Sequence, residues 1–150
     1  QEHILLTGKE SKQELYDALS TLGSQTLLKK LPDILEGKLN PTPQNTNIEQ
    51  ITFSKIIDKA DGQIDWSKPA VQIEREVRAY LGWPGSATYL LGRDVIITSC
   101  EVIEGSGKSG EIIPGKELIV FCIEDGLKIN LIKPAGKREM TGKEFLAGSR

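Results

Sequence analysis

From Ser86 to Ile132 the chain alternates between short apolar runs and turns that carry glycine, and this alternation limits the fold more than any other feature. Residues 88–91 and 94–103 flank Gly92-Arg93, and runs at 111–113, 118–123 and 128–132 follow. Most of the runs are too short for helices and are rich in Ile, Val and Thr, which suit a pleated surface. Pro114-Gly115 and Asp125-Gly126 have the chemistry of tight turns between them. Five short strands joined this way predict a small barrel or sandwich. Residues 104–110 read as a flexible loop. Gly105-Ser106-Gly107-Lys108-Ser109-Gly110 has the composition of a phosphate loop but neither its spacing nor a following helix. Residues 141–147 fit a closing helical turn.

The part before Ser86 has helical periodicity instead. Ser11-Lys12-Gln13-Glu14 is a capping box, and Leu15, Ala18, Leu19 and Leu22 recur at helical spacing behind it. Gly23 is expected to end that helix, and a second helix over 24–36, closed by Gly37, completes a helical hairpin. Residues 39–47 hold two prolines and three asparagines and read as a linker. A further helix follows, capped by Ser67 with Pro69 in its first turn. Ala70, Ile73, Val77 and either Tyr80 or Leu81 form its buried stripe, and Gly82-Trp83-Pro84-Gly85 stops it. The class is therefore α+β: an N-terminal helical hairpin and linker, then one helix leading into a small β-barrel.

Charge and rare residues narrow the function. The net charge is -2, which excludes a generally basic nucleic-acid binder but leaves room for a local basic patch. No apolar run approaches the roughly 20 residues that cross a bilayer, so no membrane partner is expected and the location is cytoplasmic. His3 is the one histidine and stands near an end, which removes the usual general base. Cys100 and Cys122 sit inside apolar runs and read as buried reduced thiols, with no metal-site spacing. The acidic cluster Asp58, Asp61 and Asp65 suits turns and caps rather than a cation.

Lys133, Lys137, Arg138 and Lys143 gather near the last strand, around Pro134-Ala135-Gly136. Clustered cations on a loop suit phosphate contact, and equally a solvated polar loop diluted by Glu139 and Glu144. Arg78 either pairs with Glu74 at i,i+4 or faces a nucleic acid. Trp66 and Trp83 can stack on bases or cover the ends of the helix between them.

Several short signatures recur together. Ile64-Asp65-Trp66-Ser67 is followed by Trp83-Pro84-Gly85-Ser86, with Ile73-Glu74-Arg75 and Val77-Arg78-Ala79 between them. Leu131-Ile132-Lys133-Pro134-Ala135-Gly136-Lys137 closes the set. With Leu15-Tyr16-Asp17-Ala18-Leu19 and the Pro43-Gln44 linker, they resemble the C-terminal half of methionyl-tRNA formyltransferases over nearly the whole chain. That resemblance implies an oligonucleotide-binding (OB)-like, Greek-key barrel over 63–150. It implies a linker over 39–62 and the helical tail of a catalytic domain over 1–38. Members transfer formyl from 10-formyltetrahydrofolate to the amino group of methionyl-initiator-tRNA. The family's Asn-His-Asp set and Ser-Leu-Leu-Pro motif do not occur here, so the resemblance carries over no catalytic, cofactor or metal residue and implies that this segment alone is inactive.

As candidate RNA contacts the resemblance adds Lys55, in the linker, to Arg78, Lys133, Lys137, Arg138 and Lys143. The implied partners are the initiator tRNA and the protein's own catalytic domain, in a monomer. Two other readings stay open. One is the accessory barrel of a sugar-nucleotide formyltransferase or a formyltetrahydrofolate hydrolase. The other is a free-standing OB-like binding module without catalysis.

Overall fold

The computed structural model describes residues 2–113 and 115–148. It divides into two compact units, Gln1–Ile56 and Ile57–Arg150. In the first, a single helix α1 runs over Lys12–Leu35. Its start is the expected capping box: the Glu14 N–H donates to Ser11 Oγ at 3.2 Å, and the Ser11 N–H donates to Glu14 Oε2 at 2.8 Å.

The expected hairpin is not formed, because Gly23 stays inside the helix. A helical glycine costs about 1 kcal/mol relative to alanine. Breaking the helix there would orphan a full set of terminal backbone groups, which costs more. Ser24 does not act as a cap either; its hydroxyl donates to the Thr21 carbonyl at 3.0 Å within the helix. Pro32 lies in the last turns, and its missing N–H removes one helical bond just before the end at Leu35. Gly37 then turns the chain at φ +69°. Residues 38–47 have no regular structure and are exposed.

The second unit is a curled antiparallel sheet with helices packed on it. Helix α2 spans Ala70–Ala79 and buries Ala70, Ile73 and Val77, the stripe that its periodicity predicts. Tyr80 is half-buried and Leu81 exposed. Ser67 does not cap α2. Its N–H and hydroxyl donate to Asp65 Oδ1 at 2.9 and 2.6 Å, and Pro69 holds the cap position instead. The sheet completes the cap from outside, since the Ala70 N–H donates to the Glu124 carbonyl at 3.0 Å.

The strands are β1 (Ser86–Leu90), β2 (Arg93–Ile103), β3 (Ile112–Ile113), β4 (Ile119–Phe121), β5 (Gly126–Pro134) and β6 (Met140–Thr141). The spatial order is β1-β2-β5-β4-β3, with β6 also on β5. Strands β3, β4 and β5 are consecutive neighbours, and β2 reaches β3 by a long connection yet lies beside β5. That is the expected Greek key. Among the described residues the sheet is a half-barrel with β1 and β3 at its edges. The β1–β2 turn falls on Leu91 and Gly92, at φ +48° and +80°, one residue earlier than the sequence suggests. Both angles are left-handed, as a two-residue hairpin requires. Asp125 turns the chain into β5 at φ +63°. Of the expected Pro114-Gly115 turn, Pro114 lies outside the described residues. The 105–110 loop is a cover: Gly105 and Gly107 lie against the Phe121 ring, where any Cβ would collide.

Strand β6 was not legible in the sequence. It leads into α3 (Gly142–Ala147), whose start is another capping box, Thr141 with Glu144. Phe145 points from α3 into the core at 1% exposure. Gly142 passes so close to β5 that an added Cβ would collide with the Ile129 carbonyl oxygen. Gly142→Ala is expected to cost about 1–3 kcal/mol by forcing α3 off the sheet. Urea unfolding of the two proteins measures this, and equal midpoints would show that α3 moves freely.

Candidate functional site

The last turn of the sheet is where the predicted cations meet the rest of the fold. Pro134 ends β5, and Gly136 at φ +71° lets the Lys137 N–H return to the Pro134 carbonyl at 3.0 Å. The Ala135 N–H donates to the Asp94 carbonyl at 2.9 Å, which ties this turn to the start of β2. Lys137 and Arg138 therefore come beside Arg93, 44 positions earlier in the chain. The three cations line a hollow of about 230 Å³ with Met140, Glu144 and Phe145.

Arg93 is held in place from two sides. Its Nη2 donates to the Gly148 carbonyl at 2.8 Å, and its Cζ stands 5.9 Å from the centre of the Phe145 ring. This is the geometry of a cation over an aromatic face. Glu144 is the one carboxylate on the hollow among the described residues. The N–H and hydroxyl of Thr141 donate to it at 2.7 and 2.8 Å, and they hold its carboxyl below the usual range. Arg138 adds a smaller pull in the same direction. Three cations against one carboxylate leave an anion-accepting hollow. Arginine forks fit phosphate oxygens, and Lys137 adds a point charge.

The other candidates are dispersed. Lys133 lies on β5 in register with Ile96 and faces solvent, bordering a separate hollow of about 430 Å³. Lys143 lies in the first turn of α3 and borders a third hollow, of about 550 Å³, in the gap between β4 and β6. That hollow also holds Lys128, whose Nζ lies 2.8 Å from Glu101 and 3.1 Å from Glu117. Arg78 is committed to Glu74, with Nε to Oε1 at 2.6 Å and Nη2 to Oε2 at 3.0 Å, both side chains half-buried. Lys55 sits in an extended, exposed segment of the first unit.

Trp66 is architectural: half-buried against the core, its Nε1 donates to Thr88 Oγ1 at 3.1 Å. Trp83 is 59% exposed beside a cis bond to Pro84. No group of three or more metal-ligating side chains occurs among the described residues.

Arg93 is the residue that sequence reasoning missed. Its neighbours in sequence are a turn and an apolar strand, so no local charge pattern marks it. Only the β2–β5 pairing brings it to the basic turn.

Comparison with known proteins places the second unit. A family model described as formyl transferase, C-terminal domain, matches residues 56–150. The chain belongs to this family. It is 40% identical over 136 residues to the methionyl-tRNA formyltransferase of Streptococcus equi subsp. equi, covering 89% of this chain and 43% of that protein. The Streptococcus mutans enzyme of the same name is 38% identical over 95% of this chain and 46% of its own length. That of Thermodesulfovibrio yellowstonii is 34% identical over 100% and 48% respectively. The chain thus spans under half the length of these curated relatives. A crystal structure of HypX from Aquifex aeolicus in complex with tetrahydrofolic acid matches with a TM-score of 0.58 over 83% of this chain and 22% of that one. At 18% identity that likeness speaks for the fold. It is the formyl transferase C-terminal fold, then, that carries the three-cation hollow.

Proposed function

We propose that this chain is the tRNA-gripping C-terminal region of a methionyl-tRNA formyltransferase. The full-length enzyme would transfer formyl from 10-formyltetrahydrofolate to the amino group of methionyl-initiator-tRNA, in the cytoplasm, at the start of translation. The observation that carries this reading is the 34–40% identity to enzymes of that name across 89–100% of the chain. Residues 1–38 would then be the tail of the catalytic domain, 39–62 a linker and 63–150 the RNA-binding domain of a monomer. The chemistry, and with it the folate cosubstrate, belongs to the catalytic domain, so the segment alone has no transferase activity. What this chain contributes is grip: Arg93, Lys137 and Arg138 hold successive backbone phosphates, and Lys55, Lys133 and Lys143 add outlying charge. Arg78, already neutralised by Glu74, contributes least.

The reading is tested by titrating initiator tRNA into the chain over a range of salt concentrations. Contact with about 3 phosphates gives a log-log slope near -3. Replacing both Lys137 and Arg138 by alanine should weaken binding and flatten that slope by about 2. An unchanged slope would remove these residues from the interface. Failure of the full-length protein to formylate methionyl-tRNA would remove the reading itself.

A further inference from the structure

The outer face of β1, β2 and β5 carries a chemistry that the cationic hollow does not use. Tyr89 on β1 is 65% exposed, and its cross-strand partner on β2 is Asp94. The next pair on the same face joins Ala87 to Ile96, which is 37% exposed. Ile96 is in turn in register with Lys133 on β5. Three strands thus present an aromatic ring, an aliphatic side chain and an ammonium group across one open face. Together they line the hollow of about 430 Å³, which Gln63 also borders.

That combination selects a ligand class. A ring and an aliphatic floor favour a flat uncharged heterocycle. The Gln63 amide and the Asp94 carboxylate offer donors and acceptors to its edge, and Lys133 offers a charge to an attached phosphate. The hollow does not stand alone. Its wall at Pro134, Ala135 and Gly136 runs directly into Lys137 and Arg138, and Asp94 is the neighbour of Arg93. The basic turn therefore continues the chain directly from one wall of the apolar hollow, and its cations are available to the phosphates that flank a base.

We propose that the Tyr89–Ile96–Lys133 face is a stacking platform for an unpaired nucleotide of the bound RNA. The proposal rests on the reading of RNA as the partner and sharpens it. A nucleotide inside a stem hides its faces in the stack and cannot use the platform, whereas an unpaired end or loop can.

The test compares two labelled RNAs on the whole chain by fluorescence anisotropy at low salt: a hairpin with a short single-stranded tail, and the same hairpin with a blunt end. Tyr89→Ala is expected to weaken the tailed RNA roughly tenfold or more and to leave the blunt one, and the salt slope, unchanged. Tyr89→Phe should keep the preference for the tail. Tyr89 is exposed, so the fold survives its removal, and matching thermal midpoints verify that; Ile96→Thr supplies a second probe of the same floor. If the alanine variant binds the tailed RNA as well as the parent does, the platform is overturned. If the Lys137 and Arg138 replacements then still weaken both RNAs, the RNA reading survives that failure. If the parent binds neither RNA, both fall. An effect of Tyr89→Ala on self-association alone would overturn the platform in favour of a protein contact.

Discussion

Phe145→Ala is expected to lower the unfolding free energy by about 3–5 kcal/mol. The ring is 1% exposed, and it fills the space between α3 and the sheet. Its loss removes transfer energy and leaves a cavity that the short helix cannot close, because Gly142 already lies against the β5 backbone. A further part of the cost falls on Arg93, whose guanidinium rests 5.9 Å from the ring centre. Such a contact is worth about 0.5–1 kcal/mol at an exposed site. Urea unfolding followed by tryptophan fluorescence measures the total, with half-buried Trp66 reporting on the core. A loss under about 1 kcal/mol would mean that α3 is an ornament on the sheet rather than part of its core. The same variant, held below its melting range, should also bind RNA less well, since Arg93 loses its shelf.

Stability is also expected to fall steadily as pH rises from about 9 toward 12. Burial pushes the Cys100 thiol up to about 12 and the Cys122 thiol up to about 11. In the unfolded chain both ionise near 9, the ordinary value. Above that pH the unfolded state has released protons that the folded state still holds, so alkali favours unfolding. The contribution is complete below about pH 9 and is lost through the window up to the folded values. Each thiol withdraws at most about 1.4 kcal/mol per pH unit there. Lys68, raised by its bond to Glu76, and Lys128, raised by Glu101 and Glu117, act in the same direction at the upper end. Urea midpoints taken between pH 8 and 11 should decline, and a variant with alanine at both cysteines should decline less. A flat profile would show that the thiols are not held away from water. Cys122 is buried as expected and should resist alkylation at neutral pH until the chain unfolds, whereas Cys100 is only half-buried and should react first.

Local signals were read correctly where a few adjacent residues settle the matter. Ser11 and Thr141 start helices because a hydroxyl and a carboxylate three positions on satisfy each other's backbone N–H groups, and no distant residue is needed. The left-handed turn at Asp125 is equally local, whereas the 104–110 loop, expected to be flexible, is packed on Phe121 from far along the chain. Gly23 and Ser24 were misread because they carry a stop and a start signal that the chain does not obey. Continuing the helix costs one glycine penalty, and stopping it costs a set of unpaired groups. Ser67 was misread because Asp65, two residues back, offers its hydroxyl a better partner than the helix end does. Strand β6 escaped notice because two residues carry no periodicity.

The sequence by itself determined the α+β class, the series of short strands and the family, since turn chemistry, capping and signature residues act over a few positions; the Greek-key order came only with the family resemblance. The grouping of the candidate side chains was decided only in three dimensions. The β2–β5 ladder slips between Ile97 and Cys100. Across it the buried positions of β5 pass from Leu127 and Ile129 to Ile132 and Pro134. An unbroken alternation would have turned Lys133 inward; the irregularity turns it out beside Ile96. The same ladder carries Arg93 to Lys137 and Arg138. Register across a sheet is set by which apolar faces must be buried together, a property of two strands at once, and no single stretch of sequence contains it.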